Sequence, residues 1–209
     1  MPATGTLQRL SIFPLGGALL FPRAHLPLHI FEPRYRALVE DALARDRRIS
    51  MIQPKGLGDP PPLFDVGCVG HIREFERLDD GRFNIVLEGI TRFRLVRELD
   101  VKTDFRQVEG DISGFPDAEE PEAMPSIVRA EIEREARRFA DSRNVVVDWT
   151  GVSRLDDETL VNAICAIAPF DAASKQALLE ALTLRDRADL LAQFLAFFRR
   201  GDDEPATLQ

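Results

Sequence analysis

The sequence predicts an α+β protein in which a β-rich half precedes a helical half. Short apolar stretches separated by Gly and Pro dominate residues 1–115, whereas apolar residues recur at helical spacing in residues 126–209. An acidic, proline-rich stretch lies between the two halves. The chain has 209 residues, which at about 150 residues per domain is sufficient for one or two domains. A composition that is 44% apolar and 30% charged is that of an ordinary globular protein.

The first half is predicted to consist of short strands with one helix inserted among them. The helix covers residues 31–43 and has Pro33 in its first turn, where a missing N–H costs no hydrogen bond. The apolar residues of this segment, including Tyr35 and Leu38, recur at helical spacing. The predicted strands are residues 10–13, 19–21, 26–30, 49–53, 66–75, 82–87, 91–99 and 105–112.

An Asp-Asp-Gly sequence at residues 79–81 predicts a tight turn, because Asp and Gly accept the positive φ angles that such a reversal needs. This turn would join the strands at residues 66–75 and 82–87 into a hairpin. In the second strand Phe83 and Leu87 belong to a pattern in which apolar and polar residues alternate. One face of that strand is therefore predicted to be buried.

The charge distribution divides the chain at the same place as the composition. Residues 1–115 carry 16 basic and 16 acidic side chains and residues 116–209 carry 11 and 19, so the whole formal net charge of −8 comes from the second half. Residues 115–125 contain three prolines and four acidic residues, a composition that resists helix and sheet formation. We therefore predict a β-rich unit at residues 1–115, a linker at 116–125 and a helical bundle at 126–209.

Spacing and capping residues predict about four helices in the second half. Residues 126–140 place four apolar residues on one stripe. Asp156 and Asp171 are each placed to cap the start of a following helix. Thr183, with Asp186 three residues later, has the pattern of a capping box for the last helix.

The sequence contains no recognisable catalytic, cofactor or metal motif. The G-x-S-x-G elbow and the G-x-x-x-x-G-K-[ST] phosphate loop are both absent. Ser174 and Lys175 are neighbours, but adjacent residues of a helix point about 100° apart and cannot share a proton. His25 and His29 flank Pro27 in an extended segment, which places them at opposite ends of a strand rather than around one metal ion. We expect no catalysis, no cofactor and no metal.

Charge and hydropathy limit the partners of the chain. An acidic surface repels phosphate backbones, so we do not expect DNA binding. Arg92, Arg94 and Arg97 form a small basic cluster, which we interpret as a solvated strand face. Cys68 and Cys165 are too few for a disulfide scaffold and are interpreted as buried apolar residues. The uncharged runs are too short for a membrane span and lack signal-peptide features, so a cytoplasmic location is expected.

Several ordered segments resemble one known family, that of the N-terminal domain of Lon proteases. The resemblance extends over about residues 11–200. The segments that carry it are Ile-Phe-Pro-Leu at 12–15, Leu-Phe-Pro at 20–22, Leu-Pro-Leu-His-Ile-Phe-Glu-Pro-Arg-Tyr-Arg at 26–36, Gly-Cys-Val-Gly-His-Ile at 67–72, Asp-Gly-Arg-Phe-Asn-Ile-Val-Leu-Glu-Gly-Ile-Thr-Arg-Phe-Arg at 80–94, and Lys-Gln-Ala-Leu-Leu-Glu at 175–180.

The resemblance implies a PUA-like β pseudo-barrel with one inserted helix, followed by a helical bundle. It also implies a role in recognising unfolded or tagged polypeptide within the bacterial proteolysis machinery. The ATPase and Ser-Lys peptidase motifs of full Lon proteases are absent from the sequence. We therefore expect a non-enzymatic binding module whose partners are unfolded or partly folded polypeptides, and neither DNA nor a membrane.

Four apolar side chains in the best-matching segment are candidates for the polypeptide-binding surface: Phe21, Leu26, Phe31 and Tyr35. Exposed apolar side chains and sheet edges are what unfolded chains bind, and the Gly- and Pro-rich loop at residues 55–63 would flank this surface. The alternative is that these side chains belong to the core and seat the first helix on the sheet.

Two other functions stay open at this point. PUA-like folds of other families bind RNA or small ligands, so the same fold could serve that purpose here. The third possibility is a hydrolase whose active site matches no known motif. The absence of nucleophile motifs argues against it. Arg34 and Arg92 are candidates for structural ion pairs with carboxylates.

Overall fold

A computed structural model describes residues 5–121 and 123–200. It contains two compact units, one that extends to Glu119 and one that begins at Glu120. The division falls within residues 116–125, the stretch expected to be a linker. The bounds of that linker remain a prediction.

The described part of the first unit contains six strands and one helix. The helix α1 (Pro33–Ala44) begins after Glu32 and has Pro33 at its first position, as predicted. The strands are β1 (Leu7–Pro14), β2 (His25–Ile30), β3 (Arg48–Pro54), β4 (Leu63–Arg77), β5 (Phe83–Glu98) and β6 (Gln107–Asp111).

The six strands form one sheet in the order β2-β5-β4-β3-β1-β6. Strand β6 also pairs with the second half of β5, so five strands close into a barrel. Strand β2 lies outside the closed ring and pairs with the first half of β5. All neighbours are antiparallel except β1 and β3. The predicted β-rich unit is thus confirmed, and its barrel leaves β2 at the end of the sheet.

Two apolar clusters stabilise this unit, and burial of each large apolar side chain contributes about 1.5–3 kcal/mol. The smaller cluster is formed by Leu10, Ile12, Ile52, Val69, Phe93 and Val108. The larger cluster includes the apolar stripe of α1 and the buried residues of the β4–β5 hairpin. Its members include Phe13, Leu20, Ile30, Tyr35, Leu38, Val39, Ile72, Phe83, Ile85 and Leu87.

The β4–β5 hairpin turns where the sequence predicts it. Gly81 has a φ of 80°, and its N–H donates to the carbonyl of Leu78. The two strands predicted at residues 82–87 and 91–99 are, however, the continuous strand β5. A register shift near Gly89 allows β5 to bend around the barrel without ending.

The strand predicted at residues 19–21 is not present. Leu19, Leu20 and Phe21 are all buried, so the side chains do not alternate between two faces as they would in a strand. The segment instead makes a tight local turn in which the N–H of Ala24 donates to the carbonyl of Phe21. Gly89 packs so closely against this turn that a Cβ there would overlap the carbonyl oxygen of Phe21.

The described part of the second unit is helical. Its elements are α2 (Ser126–Ser142), α3 (Trp149–Val152), α4 (Asp157–Ile167), α5 (Ala172–Glu180) and α6 (Leu184–Arg200). Helix α6 contacts α2, α4 and α5. None of the helices in the described ranges is long and apolar enough to cross a membrane.

The predicted caps of this unit are confirmed. The Asp156 carboxylate accepts a hydrogen bond of 2.8 Å from the backbone N–H of Thr159. The Asp171 carboxylate accepts one of 2.7 Å from the N–H of Ser174. Thr183 and Asp186 exchange hydrogen bonds as the two ends of a capping box do. The short helix α3 was not predicted.

Candidate functional site

The four predicted apolar site residues do not share one surface. Phe21 and Tyr35 are only 1% and 7% exposed, and Leu26 is half-buried. Phe31 is 61% exposed. Phe21 and Tyr35 therefore do not offer the accessible apolar surface that was expected of them. Both belong to the core, which was the alternative.

Tyr35 is buried because it seats α1 on the sheet. Its ring centre lies 4.1 Å from that of Phe13, and its hydroxyl donates to the carbonyl of Pro14. Burial raises the pKa of the Tyr35 phenol. The Arg34 guanidinium lies 4.6 Å from the ring centre and pairs with Glu32, as the structural interpretation of Arg34 predicts.

The exposed face of the sheet near Phe31 is built from β2, β5 and β4. Residues directly opposite each other on neighbouring strands share a face. The register sets Pro27 opposite Val86, and His29 opposite Asn84. Because Phe31 follows β2 and stacks on His29 at a ring distance of 6.3 Å, it extends the same face. We call Pro27, His29, Phe31, Asn84 and Val86 the β2 face.

The polar side chains of the β2 face are held in place by one another. Asn84 Oδ1 lies 2.7 Å from His29 Nδ1, and Arg82 Nη1 lies 3.1 Å from His29 Nε2. A guanidinium can only donate, so His29 Nε2 accepts and Nδ1 carries the proton that it donates to Asn84. Asn84 in turn donates to Glu76 at 2.8 Å. The imidazole that supports the Phe31 ring is thereby fixed in orientation.

A shallow depression of about 520 Å³ lies on this part of the sheet. Its lining includes Pro27, Val86, Glu74 and Glu76, and no Lys or Arg. Glu88, one row further along β5, pairs with Arg73 at 3.1 Å. The depression therefore has an apolar centre and an acidic border.

Arg92 is not part of a solvated basic cluster, contrary to the sequence prediction. Its side chain is 2% exposed and its guanidinium donates to the Asp117 carboxylate at 2.8 Å. It also stacks over Phe115 at 4.3 Å. Arg97 is exposed but pairs with Glu109. Asp117 lies in the predicted linker but is buried in the first unit. It supplies the carboxylate with which Arg92 was expected to form a structural ion pair.

Both cysteines are buried, and the ammonium of the lysine considered above is bonded to a backbone carbonyl. Burial raises the pKa of the Cys165 thiol to about 12. Burial lowers the pKa of Lys175, whose ammonium donates to the carbonyl of Ala166 at 2.9 Å. Within the described ranges, no group of three or more His, Cys, Asp or Glu side chains is placed to hold a metal ion.

Most residues of the β2 face were not predicted from the sequence. The available signal was the alternation within β2, in which His25, Pro27 and His29 alternate with Leu26 and Leu28. That pattern indicates a strand with one exposed face, but the partner residues on β5 could only be found from the strand register.

The five-stranded barrel with an added edge strand, followed by helices, matches the fold of solved Lon N-terminal domains. The N-terminal domain of Mycobacterium avium complex Lon protease matches with a TM-score of 0.65 at 20% identity, over 90% of this chain and 98% of that one. A Lon N-terminal domain protein from Xanthomonas campestris matches with a TM-score of 0.62 at 22% identity, over 91% of this chain and 98% of that one.

The family model for the substrate-binding domain of ATP-dependent protease La (Lon) matches residues 9–196. The chain belongs to this family. It is 25% identical to the Lon protease of Heliobacterium modesticaldum over 91% of its length, and 25% identical to that of Escherichia coli over 86%. It spans about a quarter of the length of these two relatives, 24% in each case.

Proposed function

We propose that the protein binds unfolded polypeptide at the β2 face and that it does so without catalysis. The observation that carries the proposal is the exposed, supported Phe31 ring beside an apolar depression, in a chain whose family is a substrate-binding domain. Unfolded substrates of a proteolytic system, and through them the components of that system, are the proposed partners.

An unfolded chain differs from a folded one in the groups that it exposes. Only the unfolded chain presents apolar side chains and an extended backbone together. Phe31 offers a large apolar surface, and Pro27 and Val86 offer a second one along the sheet, beyond the row of His29 and Asn84. An anchoring aromatic ring contributes on the order of 1–2 kcal/mol, so one such site gives a dissociation constant in the micromolar range or above.

A titration with an unfolded model protein tests this proposal. Lysozyme that has been reduced and carbamidomethylated stays unfolded in buffer, and native lysozyme is its folded control. We expect measurable binding of the unfolded form and at least tenfold weaker binding of the native form. Equal affinity for the two forms, or for neither, would contradict the proposal.

Phe31→Ala is the variant that places the interaction. It removes an exposed ring, so we expect the affinity for unfolded lysozyme to fall about fivefold to thirtyfold while the unfolding midpoint stays unchanged. Val146→Ala is the matched control, because Val146 is 98% exposed and lies outside the β2 face. An affinity that is unchanged in Phe31→Ala would place the binding elsewhere.

A second candidate function is the binding of a small anionic ligand or RNA, as other PUA-like proteins do. One observation favours it: a polar cleft of about 490 Å³ is lined by Arg9, Arg45 and Arg48 together with Asp41 and Asp46. The two carboxylates offset most of the positive charge, which weakens this candidate. A titration with single-stranded RNA at two salt concentrations separates the two functions, because RNA binding weakens steeply with salt.

A further inference from the structure

We propose that polypeptide binds as an additional β-strand along the outer edge of β2, in register with the sheet. This inference rests on the proposed function and specifies how the β2 face is used. In such a complex the substrate backbone, rather than its side chains alone, would supply hydrogen bonds to the protein.

The pairing of β2 with β5 determines which backbone groups of β2 point outward. The N–H of Gly89 donates to the carbonyl of Ala24 at 2.9 Å. His25 and Glu88, the neighbours of these two residues, lie opposite each other. In an antiparallel ladder a bond in this position flanks a pair of residues that are not hydrogen-bonded to each other, so His25 and Glu88 form a non-hydrogen-bonded pair. The pattern alternates along an antiparallel ladder, so Leu26, Leu28 and Ile30 bond to β5. His25, Pro27 and His29 must then direct their backbone groups away from β5.

Pro27 supports the same assignment independently. Proline has no N–H, and a central ladder position would lose a hydrogen bond there, whereas an outward position loses none. Within the described sheet, β5 is the sole strand that pairs with β2. The outer edge of β2 therefore presents two donors, from His25 and His29, and three acceptors, from these two residues and Pro27.

The spacing of these groups selects an extended strand. Outward groups on alternate residues repeat about every 6.8 Å, which is the repeat of another strand and of no helix. The occupant that we propose is an unfolded segment with alternating apolar residues. The apolar residues would continue the row of Pro27 and Val86.

A second copy of the chain is a poorer occupant. In a symmetric β2–β2 pair centred on Pro27, the two prolines would oppose each other at a position where each should donate an N–H, and both donors are missing. A foreign segment with an N–H at this position can donate to the Pro27 carbonyl, so it gains the bond that the symmetric pair lacks.

Amide hydrogen exchange measured residue by residue by NMR tests the proposal, with reduced and carbamidomethylated lysozyme as the probe. We expect the amides of His25 and His29 to exchange at least tenfold more slowly when the probe is bound. The amides of Leu26 and Leu28, already bonded to β5, should change much less. Binding without slower exchange at His25 and His29 would overturn strand addition and leave the proposed function intact.

A pair of variants at His25 provides the second measurement. His25→Pro removes one outward N–H, whereas His25→Ala removes the same side chain and keeps the N–H. We expect affinity for the probe to fall about fivefold in the proline variant relative to the alanine variant. Equal affinities of the two variants would count against the proposal. Slower amide exchange at His25 and His29 without the probe, if it becomes more marked as the protein concentration rises, would also count against it, because it would indicate pairing of two copies of the chain. Absence of any binding would refute the proposed function as well.

Discussion

Removal of the Asp117 carboxylate should destabilise the first unit far more than its position in an acidic, proline-rich stretch suggests. Asp117 accepts hydrogen bonds from the Arg92 backbone N–H at 2.7 Å and from Nη2 at 2.8 Å. The Arg92 and Asp117 side chains are 2% and 4% exposed. Asp117→Ala would leave a guanidinium buried without its counter-charge, which costs about 3–5 kcal/mol in buried ion pairs of this kind.

Urea denaturation measures this loss. Tyr35 is the single tyrosine of the chain and lies in the same unit as the ion pair, so its absorbance reports the unfolding of that unit. With a denaturant slope of about 1–3 kcal/mol per molar urea, the midpoint should fall by more than about 1 M. Glu109→Ala is the matched control, since its pair with Arg97 is exposed and contributes at most about 1 kcal/mol.

A double variant distinguishes the buried charge from other causes. If the loss comes from the uncompensated guanidinium, Asp117→Ala combined with Arg92→Leu should be more stable than Asp117→Ala alone. The reasoning is refuted if Asp117→Ala shifts the midpoint no more than Glu109→Ala does, or if the second substitution adds to the loss.

Three further predictions concern the core, the thiols and a helix cap. Phe21→Ala should cost about 3–5 kcal/mol in urea denaturation, in contrast to Phe31→Ala, because Phe21 is buried; equal midpoints would refute the core assignment. Cys68 and Cys165 should not react with a thiol reagent in the native protein but should both react in denaturant, because both are buried. The hydrogen bond from Thr159 N–H lowers the pKa of Asp156 below its ordinary 3.8, so its stabilisation is present above that value and is lost as the pH falls through the lowered pKa. Asp156→Ala should therefore cost about 1 kcal/mol at pH 7, and a penalty that does not begin to shrink as the pH is lowered below 3.8 would contradict this.

Local chemistry explains which parts of the fold were predictable. The turn at Gly81, the first turn of α1 and the caps at Asp156 and Asp171 each depend on residues within a few positions of one another. Such features are encoded in short segments of sequence. Closure of the barrel is different, because it depends on β6 meeting β5 and on a register shift that no short pattern specifies.

The candidate site was predicted only in part, because it too depends on contacts between residues that are distant in the sequence. The segment that contains Phe31 could be identified, but a run of apolar residues does not say which rings are buried. Phe21 became a core residue because its segment turns under Gly89, and Tyr35 because α1 packs that side against Phe13. The ion pair of Arg92 with Asp117 joins residues 25 positions apart, so an acidic stretch that resembled a linker is partly anchored.

The central claim is that unfolded polypeptide contacts the β2 face. A photoreactive phenylalanine analogue in place of Phe31 tests it most directly, since it reports contact at that ring alone. The same analogue in place of Phe197, which is 69% exposed in the second unit, is the control. We predict that irradiation with reduced and carbamidomethylated lysozyme gives a cross-linked product from position 31 and little from position 197. Cross-linking that is equal at the two positions, or absent at position 31 while binding is measurable, would contradict the claim.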